Sequence, residues 1–198
     1  MGLMRGQRQA QRTKTAVIGA FTELLREKSY QATTIHEIVE RANTGRSTFY
    51  RYFQSKADVI VEMHKDIFAR VNIAPTSAAA WLAAEPPNQL IQMLALFRET
   101  GTTPIYSSTE LGADADYVIR QMDALLSHHF EESLRRSFAE QDSTIPFVIL
   151  GQSIAATYSW LTRAAMQGDC TFTPLQLAEY IHRLSRAMLR EALGETER

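Results

Sequence analysis

Apolar positions in this chain recur at helical spacing almost from end to end, and no stretch sustains the strict alternation of a half-buried strand. Val17, Phe21, Leu24 and Leu25 mark one face of a first helix, expected from about Ala10 to Lys28. Thr34-Ile35-His36-Glu37 has the form of a capping box, so it predicts the start of a second helix that ends near Ala42. Asn43 tolerates left-handed backbone and suits the turn that follows. A third helix of about two turns is expected from Gly45 or Arg46 to Tyr52. Ser55-Lys56-Ala57-Asp58 is a second capping box, and it opens a fourth helix that runs to about Asn72 and stops before Pro75.

Past Pro75 the periodicity is helical but less regular. A short segment at Ser77–Ala84 ends at Pro86-Pro87. Asn88 caps a helix that runs through Thr100, with Leu90, Leu94 and Phe97 on one face and Gly101 as its stop. Residues 102–113 read as loop or broken helix. Asp114–Ala139 is a long helix with Val118, Met122, Leu125 and His129 in one stripe, and Pro146–Gln167 is apolar and rich in small residues. Thr173-Pro174-Leu175-Gln176 joins a capping box to a proline at the first helical position, and the last helix presents Leu177, Ile181, Leu184 and Met188 before Gly194. The expected fold is all-α, with about nine helices. Its N-terminal part is a three-helix helix-turn-helix unit, followed by a helical C-terminal domain.

At 198 residues, 45% apolar and 22% charged, the chain has an ordinary globular composition. The single cysteine, Cys170, excludes an intrachain disulfide and a cysteine-based zinc site. The basic N-terminal residues are not followed by an apolar segment, so they do not form a secretory signal. No apolar run approaches the roughly 20 residues of a membrane span. A cytoplasmic protein without a membrane partner is expected. The net charge of −1 hides an imbalance: residues 1–70 hold twelve Lys/Arg against seven Asp/Glu, and residues 71–198 hold nine against fifteen. That division reads either as a head that meets a polyanion or as ordinary variation between domains.

A motif inside the basic part bears on that choice. Thr33–Phe53, TTIHEIVERANTGRSTFYRYF, followed by QSKAD, resembles the signature of the TetR/AcrR family over about residues 10–66. Ala42, Thr48, Phe49, Tyr50, Phe53 and Lys56 stand where that pattern has its characteristic residue types. Val39, Asn43, Thr44 and Gly45 depart from it: the family has Ala, Gly, an apolar residue and Ser at these places. Gly45 brings no side-chain cap, and Thr44 is the available substitute. The segment's own physics agrees with the resemblance. A two-turn helix persists only when packed on neighbours, and Ile38, Phe49 and Phe53 supply that packing. Arg46, Ser47, Thr48, Tyr50 and Arg51 are left on the outer face, a composition suited to the major groove.

The resemblance implies a DNA-binding regulator, most simply a repressor, that acts as a homodimer on a palindromic operator of double-stranded DNA and responds to a small-molecule effector. It implies base-edge readers at Arg46, Ser47, Thr48 and His36, and phosphate anchors at Tyr50, Arg51 and Lys56. Thr34 is read as a cap and, secondarily, as a phosphate donor. His36 is alternatively a solvated histidine, and Tyr50 alternatively a packed ring with a free hydroxyl. Arg5, Arg8, Arg12 and Lys14 form either an arm toward DNA or, for Arg5 and Arg8, a solvating tail. The division implied is residues 1–56 for DNA binding, 57–72 as a connecting helix, and 73–198 for effector binding and dimerisation.

In that last part, the small residues Gly151, Ala155, Ala156, Ser159 and Ala164, with Tyr158, Trp160 and Leu161 adding area, pair with Leu177, Ile181, Leu184 and Met188 as candidates for an intersubunit four-helix bundle, or else for an ordinary internal core. The run from Thr157 to Ile181 also resembles, loosely, the C-terminal region of dihydroxyacetone-kinase operon regulators. Trp81, Phe97, Tyr106, Tyr117, Met122, Phe130, Phe147 and Tyr158 are candidate walls of an effector pocket, or plain core residues. Glu110, Asp114 and Asp116 hint at a cationic effector. His128 and His129 point about 100° apart on a helix and do not share one ion, so no metal and no cofactor is expected. There is no Gly-rich phosphate loop, HExxH motif or nucleophile elbow, and Cys170 with a distant histidine is a nucleophile pair only by counting. The chain is not expected to be an enzyme; the alternative reading is a helical interaction module or enzyme without DNA binding.

Overall fold

The computed structural model describes residues 2–70, 73–100, 108–166 and 171–195. Among these it is all-α, as the periodicity predicts. The helices are α1 (Gly2–Glu27), α2 (Ile35–Arg41), α3 (Arg46–Tyr52), α4 (Lys56–Arg70), α5 (Ala78–Leu82) and α6 (Asn88–Thr100). They continue with α7 (Ser108–Leu111), a 3₁₀ turn at Gly112–Asp114, α8 (Ala115–Ser137), α9 (Phe147–Met166) and α10 (Pro174–Ala192). The first helix starts at Gly2 rather than near Ala10. Leu3, Met4, Arg5, Gln7, Arg8 and Gln9 are all good helix formers with no proline among them, so nothing stops the helix earlier. Among the described residues no helix is long and apolar enough to cross a membrane.

The chain divides into two compact units, Met1–Ile67 with Ser108–Val118, and Phe68–Ser107 with Ile119–Arg198. In the first, Val17, Phe21 and Leu24 of α1 are buried as the stripe predicts, together with Ile38, Phe49, Phe53, Val59 and Ile60. Two predicted capping boxes are present. Thr34 accepts from the Glu37 amide at 3.3 Å while Glu37 Oε2 accepts from the Thr34 amide at 3.0 Å. Asp58 Oδ2 accepts from the amides of Gln54 at 2.7 Å and Ser55 at 3.0 Å, and the Asp58 amide donates to Ser55 Oγ at 3.3 Å. Each satisfies donors that a helix start otherwise leaves open.

In the second unit α10 packs on α9, α6 and α5. The α8 ridge falls one residue off the expected stripe after Met122: Leu126, Phe130, Leu134 and Phe138 are buried, while Leu125 and His129 are half-buried. Steps of four residues follow the i±4 ridge of a helix surface, which is the row that packs into a neighbour's groove. At Gly151 the backbone of α9 lies close against that of α8. A Cβ there would lie 2.9 Å from the Glu131 amide nitrogen and 3.0 Å from the Ser127 carbonyl oxygen. The last helix begins as predicted, with Thr173 and Gln176 in a reciprocal box and Pro174 first in the helix.

Candidate nucleic-acid interface

The turn between α2 and α3 sets the direction of the short third helix. The Asn43 amide donates to the Glu40 carbonyl at 3.1 Å and the Thr44 amide to the Val39 carbonyl at 2.9 Å, with Asn43 at φ +47°. This double closure requires a left-handed residue, and asparagine tolerates that conformation better than most. Gly45 then stands at the N-cap of α3 in extended conformation with no side-chain cap. Thr44 does not take over that role, so α3 starts without a capping side chain.

Phe49 is fully buried, in contact with Phe53 at 5.5 Å between ring centres, and Ile38 of α2 is buried with them. With that face committed, Arg46, Ser47, Tyr50 and Arg51 are exposed and Thr48 is half-buried. Tyr50 is 54% exposed and meets Phe49 edge-on, so its ring rests on the core and its hydroxyl end is outside. His36 is exposed on α2. The Thr34 hydroxyl donates to Glu37 Oε2 at 2.8 Å, which commits its proton to the capping box.

The basic charge of this unit is unevenly used. Lys14 pairs with Glu62 at 2.5 Å, Lys28 with Glu37, and Arg41 with Glu27 through two bonds of 2.5 and 3.0 Å. The Lys28 ammonium first, and then the Thr34 amide and hydroxyl, hold the Glu37 carboxyl down at about 2. The hydrogen bonds from Arg41 likewise lower Glu27. Arg46 and Arg51 of α3 have no such partner among the described residues. The cations of α1 and α2 that pair brace the platform; those of α3 do not.

Lys56, read as a phosphate anchor, also has partners within its own unit. Its Nζ donates to the carbonyls of Tyr30 at 2.7 Å, Thr33 at 3.0 Å and Gln31 at 3.4 Å, and it lies 4.2 Å from the centre of the Tyr30 ring. Burial lowers its pKa, partly opposed by the charge of Asp114.

Sequence reasoning missed a crossed pair of hydrogen bonds in the same unit. Tyr30 donates to Asp114 Oδ2 at 2.6 Å, and Tyr117 donates to Asp58 Oδ1 at 2.5 Å. Asp58 thus caps α4 with one oxygen and holds the start of α8 with the other. Tyr117 is engaged here rather than in a pocket wall, and Asp114 is taken by a phenol rather than left for a cationic ligand. No local sequence signal marks these bonds, because 84 and 59 residues of chain separate the partners.

The second unit holds a small cavity of about 20 Å³. Trp81, Phe130 and Tyr158, three of the candidate wall residues, line it with Leu90, Ile154, Ile181, His182 and Ser185. Met122 is buried elsewhere, and Phe147 packs on Phe138 at 6.3 Å. Tyr106, Cys170 and the side chain of Phe97 lie outside the described residues. Of the residues read as a dimer face, Gly151, Ala155, Ser159, Leu177 and Ile181 are buried within the chain's own unit and Met188 packs against its core; Leu184 is 50% exposed. Gly151 lies against the backbone of α8, and the Ser159 hydroxyl donates to Asp123 of that helix. Ala156 and Trp160, also among the dimer candidates, are exposed on α9 with Ile149, as are Tyr180 and Leu184 on α10.

Comparison with known proteins agrees with this arrangement. Residues 17–63 match the bacterial regulatory proteins of the tetR family. The HTH-type transcriptional regulator YdeS of Bacillus subtilis is 36% identical over 58 residues, which is 29% of each chain. The HTH-type transcriptional repressor KstR of Mycolicibacterium smegmatis is 24% identical over 164 residues, 77% of this chain and 78% of that one. Among solved structures, Thermus thermophilus FadR, a TetR-family transcriptional repressor in complex with lauroyl-CoA, superposes with a TM-score of 0.59 at 22% identity, covering 93% of this chain and 96% of that one. The dihydroxyacetone kinase operon activator DhaS superposes with a TM-score of 0.58 at 18% identity, covering 91% and 98%. With the capped α2, the left-handed turn and the exposed face of α3 already in place, these matches identify residues 17–63 as a domain of the tetR family of bacterial regulatory proteins.

Proposed function

We propose that this protein is a transcriptional regulator, acting as a repressor, in which a homodimer binds a palindromic operator and a small-molecule effector controls that binding. The observation behind this reading is the state of Arg46 and Arg51. Among the described residues they are unpaired cations, on a short helix whose apolar side is fully used by the platform beneath it. In this reading Arg46, Ser47, Thr48 and His36 meet base edges, and Tyr50, Arg51 and Lys56 hold phosphates. Residues 1–56 form the DNA-binding part, 57–72 the connection, and 73–198 the part that binds effector and partner. It is a regulator rather than an enzyme, in keeping with the relatives it matches.

One α3 reads only a few base pairs, and two copies spaced about 34 Å apart make a useful site. The exposed face of α9 and α10 is suited to a second copy of the chain. Trp160, at 63% exposed, and Leu184 and Ile149, at about half, are large apolar side chains left in water by the single chain.

The cavity in the second unit has room for about one water, whereas sites for drug-sized ligands span about 300–1,000 Å³. An effector there must therefore select a more open arrangement of Trp81, Phe130 and α10, and its differential affinity for the two arrangements is what shifts the equilibrium. The apolar lining favours an effector with an apolar body.

The experiment is binding of the protein to DNA fragments from upstream of its own gene across a salt series. One fragment is expected to bind tightly and specifically, with affinity falling linearly on a log–log plot against salt. Absence of binding, or binding insensitive to salt, would overturn the reading.

A further inference from the structure

The cavity of the second unit has a mostly apolar wall, so its few polar atoms decide which ligand group it accepts. Trp81, Tyr158, His182 and Ser185 are the lining side chains that carry a polar hydrogen. Each of those hydrogens is already committed. Trp81 Nε1 donates to Ser133 Oγ at 3.2 Å, the Ser185 hydroxyl to the Ile181 carbonyl at 2.8 Å, and the Tyr158 hydroxyl to the Met93 sulfur at 3.3 Å. His182 Nε2 lies 2.9 Å from the Ala83 carbonyl oxygen, and a carbonyl only accepts, so Nε2 carries the hydrogen.

That bond fixes the tautomer. A neutral imidazole holds one ring hydrogen, so with Nε2 protonated Nδ1 is left as a lone pair. Burial above all keeps the ring neutral; the Ala83 carbonyl opposes this and the Arg186 charge assists it. Arg186 donates to the same carbonyl at 2.9 Å and is not part of the cavity wall. His182 is 4% exposed, its ring lines the cavity, and no group among the described residues donates to Nδ1. An acceptor left without a donor in so buried a side chain is costly, and a ligand that supplies the donor removes that cost.

We infer that the cavity, once opened, takes an uncharged apolar alcohol whose hydroxyl donates to Nδ1 of His182, and that it discriminates against ketones and carboxylates of similar shape. This rests on the reading above that an effector enters this cavity. A ketone brings a second acceptor to the lone pair and leaves both unpaired. A carboxylate adds a charge that no lysine or arginine of the wall compensates. A site built around one hydrogen bond rejects the analogue that cannot make it.

The test measures, by calorimetry and without DNA, the binding of cyclohexanol, cyclohexanone and cyclohexanecarboxylate to the full chain. Cyclohexanol is expected to bind about tenfold tighter than either of the others. Nitrogen NMR of the imidazoles should show the His182 Nδ1 resonance move when cyclohexanol is added and stay in place with cyclohexanone. His182→Phe keeps an aromatic ring without an acceptor, and it is expected to bind alcohol and ketone within about twofold of each other. If that variant does not fold, the two measurements on the wild type decide the matter.

A ketone or carboxylate that binds as tightly as the alcohol overturns the inference. So does an unmoved Nδ1 resonance with the alcohol bound, or a preference that survives His182→Phe. Absence of binding by all three at millimolar concentration overturns it too, because the cavity then does not open to such a ligand. Operator binding is measured apart. Alcohol bound with no change in operator affinity supports the site and removes its regulatory role, while failure of every DNA fragment to bind sinks the DNA reading and leaves the calorimetry to decide the site.

Discussion

The hydroxyl of Tyr30 donates to Oδ2 of Asp114 at 2.6 Å, joining the turn before α2 to the segment just before α8. The same Tyr30 offers its carbonyl and ring to Lys56, so one residue serves two partners. Burial and the neighbouring Asp114 carboxylate both raise the Tyr30 pKa well above the ordinary phenol value. Both causes favour the protonated phenol, the form that donates to Asp114.

Tyr30→Phe keeps the ring over Lys56 and removes only the bond to Asp114. Hydrogen bonds to charged groups contribute about 1.5–3 kcal/mol, and partial solvent access to the carboxylate reduces that, so a loss of about 1–2 kcal/mol is expected. Chemical denaturation of the two proteins measures it. A difference within error would show that the bond is replaced by water at no cost.

The capping box of α2 should depend on acid. Glu37 has a folded-state pKa of about 2 against an ordinary 4.5, chiefly because of Lys28. A lowered carboxylate pKa adds stability that is full above the unfolded value and is lost as pH falls through the folded one. The stability difference between wild type and Glu37→Gln is thus expected to be constant above about pH 5 and to shrink between pH 4.5 and 2. A difference that is flat across that range would refute the assignment.

Gly151→Ala places a methyl 2.9 Å from the Glu131 nitrogen and 3.0 Å from the Ser127 oxygen, both backbone atoms that cannot rotate away. α8 and α9 must separate, at a cost of about 1–3 kcal/mol. Thermal unfolding should show a Tm lower by several degrees, since about 1 kcal/mol corresponds to roughly 2–4 °C in a chain of this size.

Trp160→Asp puts a charge on the exposed face of α9 without touching the internal core. Sedimentation should find the wild type dimeric and the variant monomeric, with helix content and Tm little changed apart from the contribution of dimerisation itself. A variant that stays dimeric would place the second copy elsewhere.

The sequence disclosed most where the signal is local. Both capping boxes of the first unit, the proline-led start of α10 and the inward set Ile38, Phe49 and Phe53 follow from neighbours a few residues apart. It disclosed little where partners are distant. Small residues on α9 say only that another backbone comes close, not whose. Gly151 meets α8 of its own chain. In the same way nothing near Lys56 in the sequence announces its carbonyl partners, which come from a turn more than twenty residues upstream.

Asn43 sits at φ +47° between the two helices of the motif. Few side chains accept that backbone, because a Cβ branch or bulk there collides with the following peptide. The exposed residues of α3 face no such restriction. A lineage could rewrite Arg46, Ser47 and Thr48 to recognise a new operator and keep its fold, while a valine at the joint would misdirect whatever alphabet the helix had acquired.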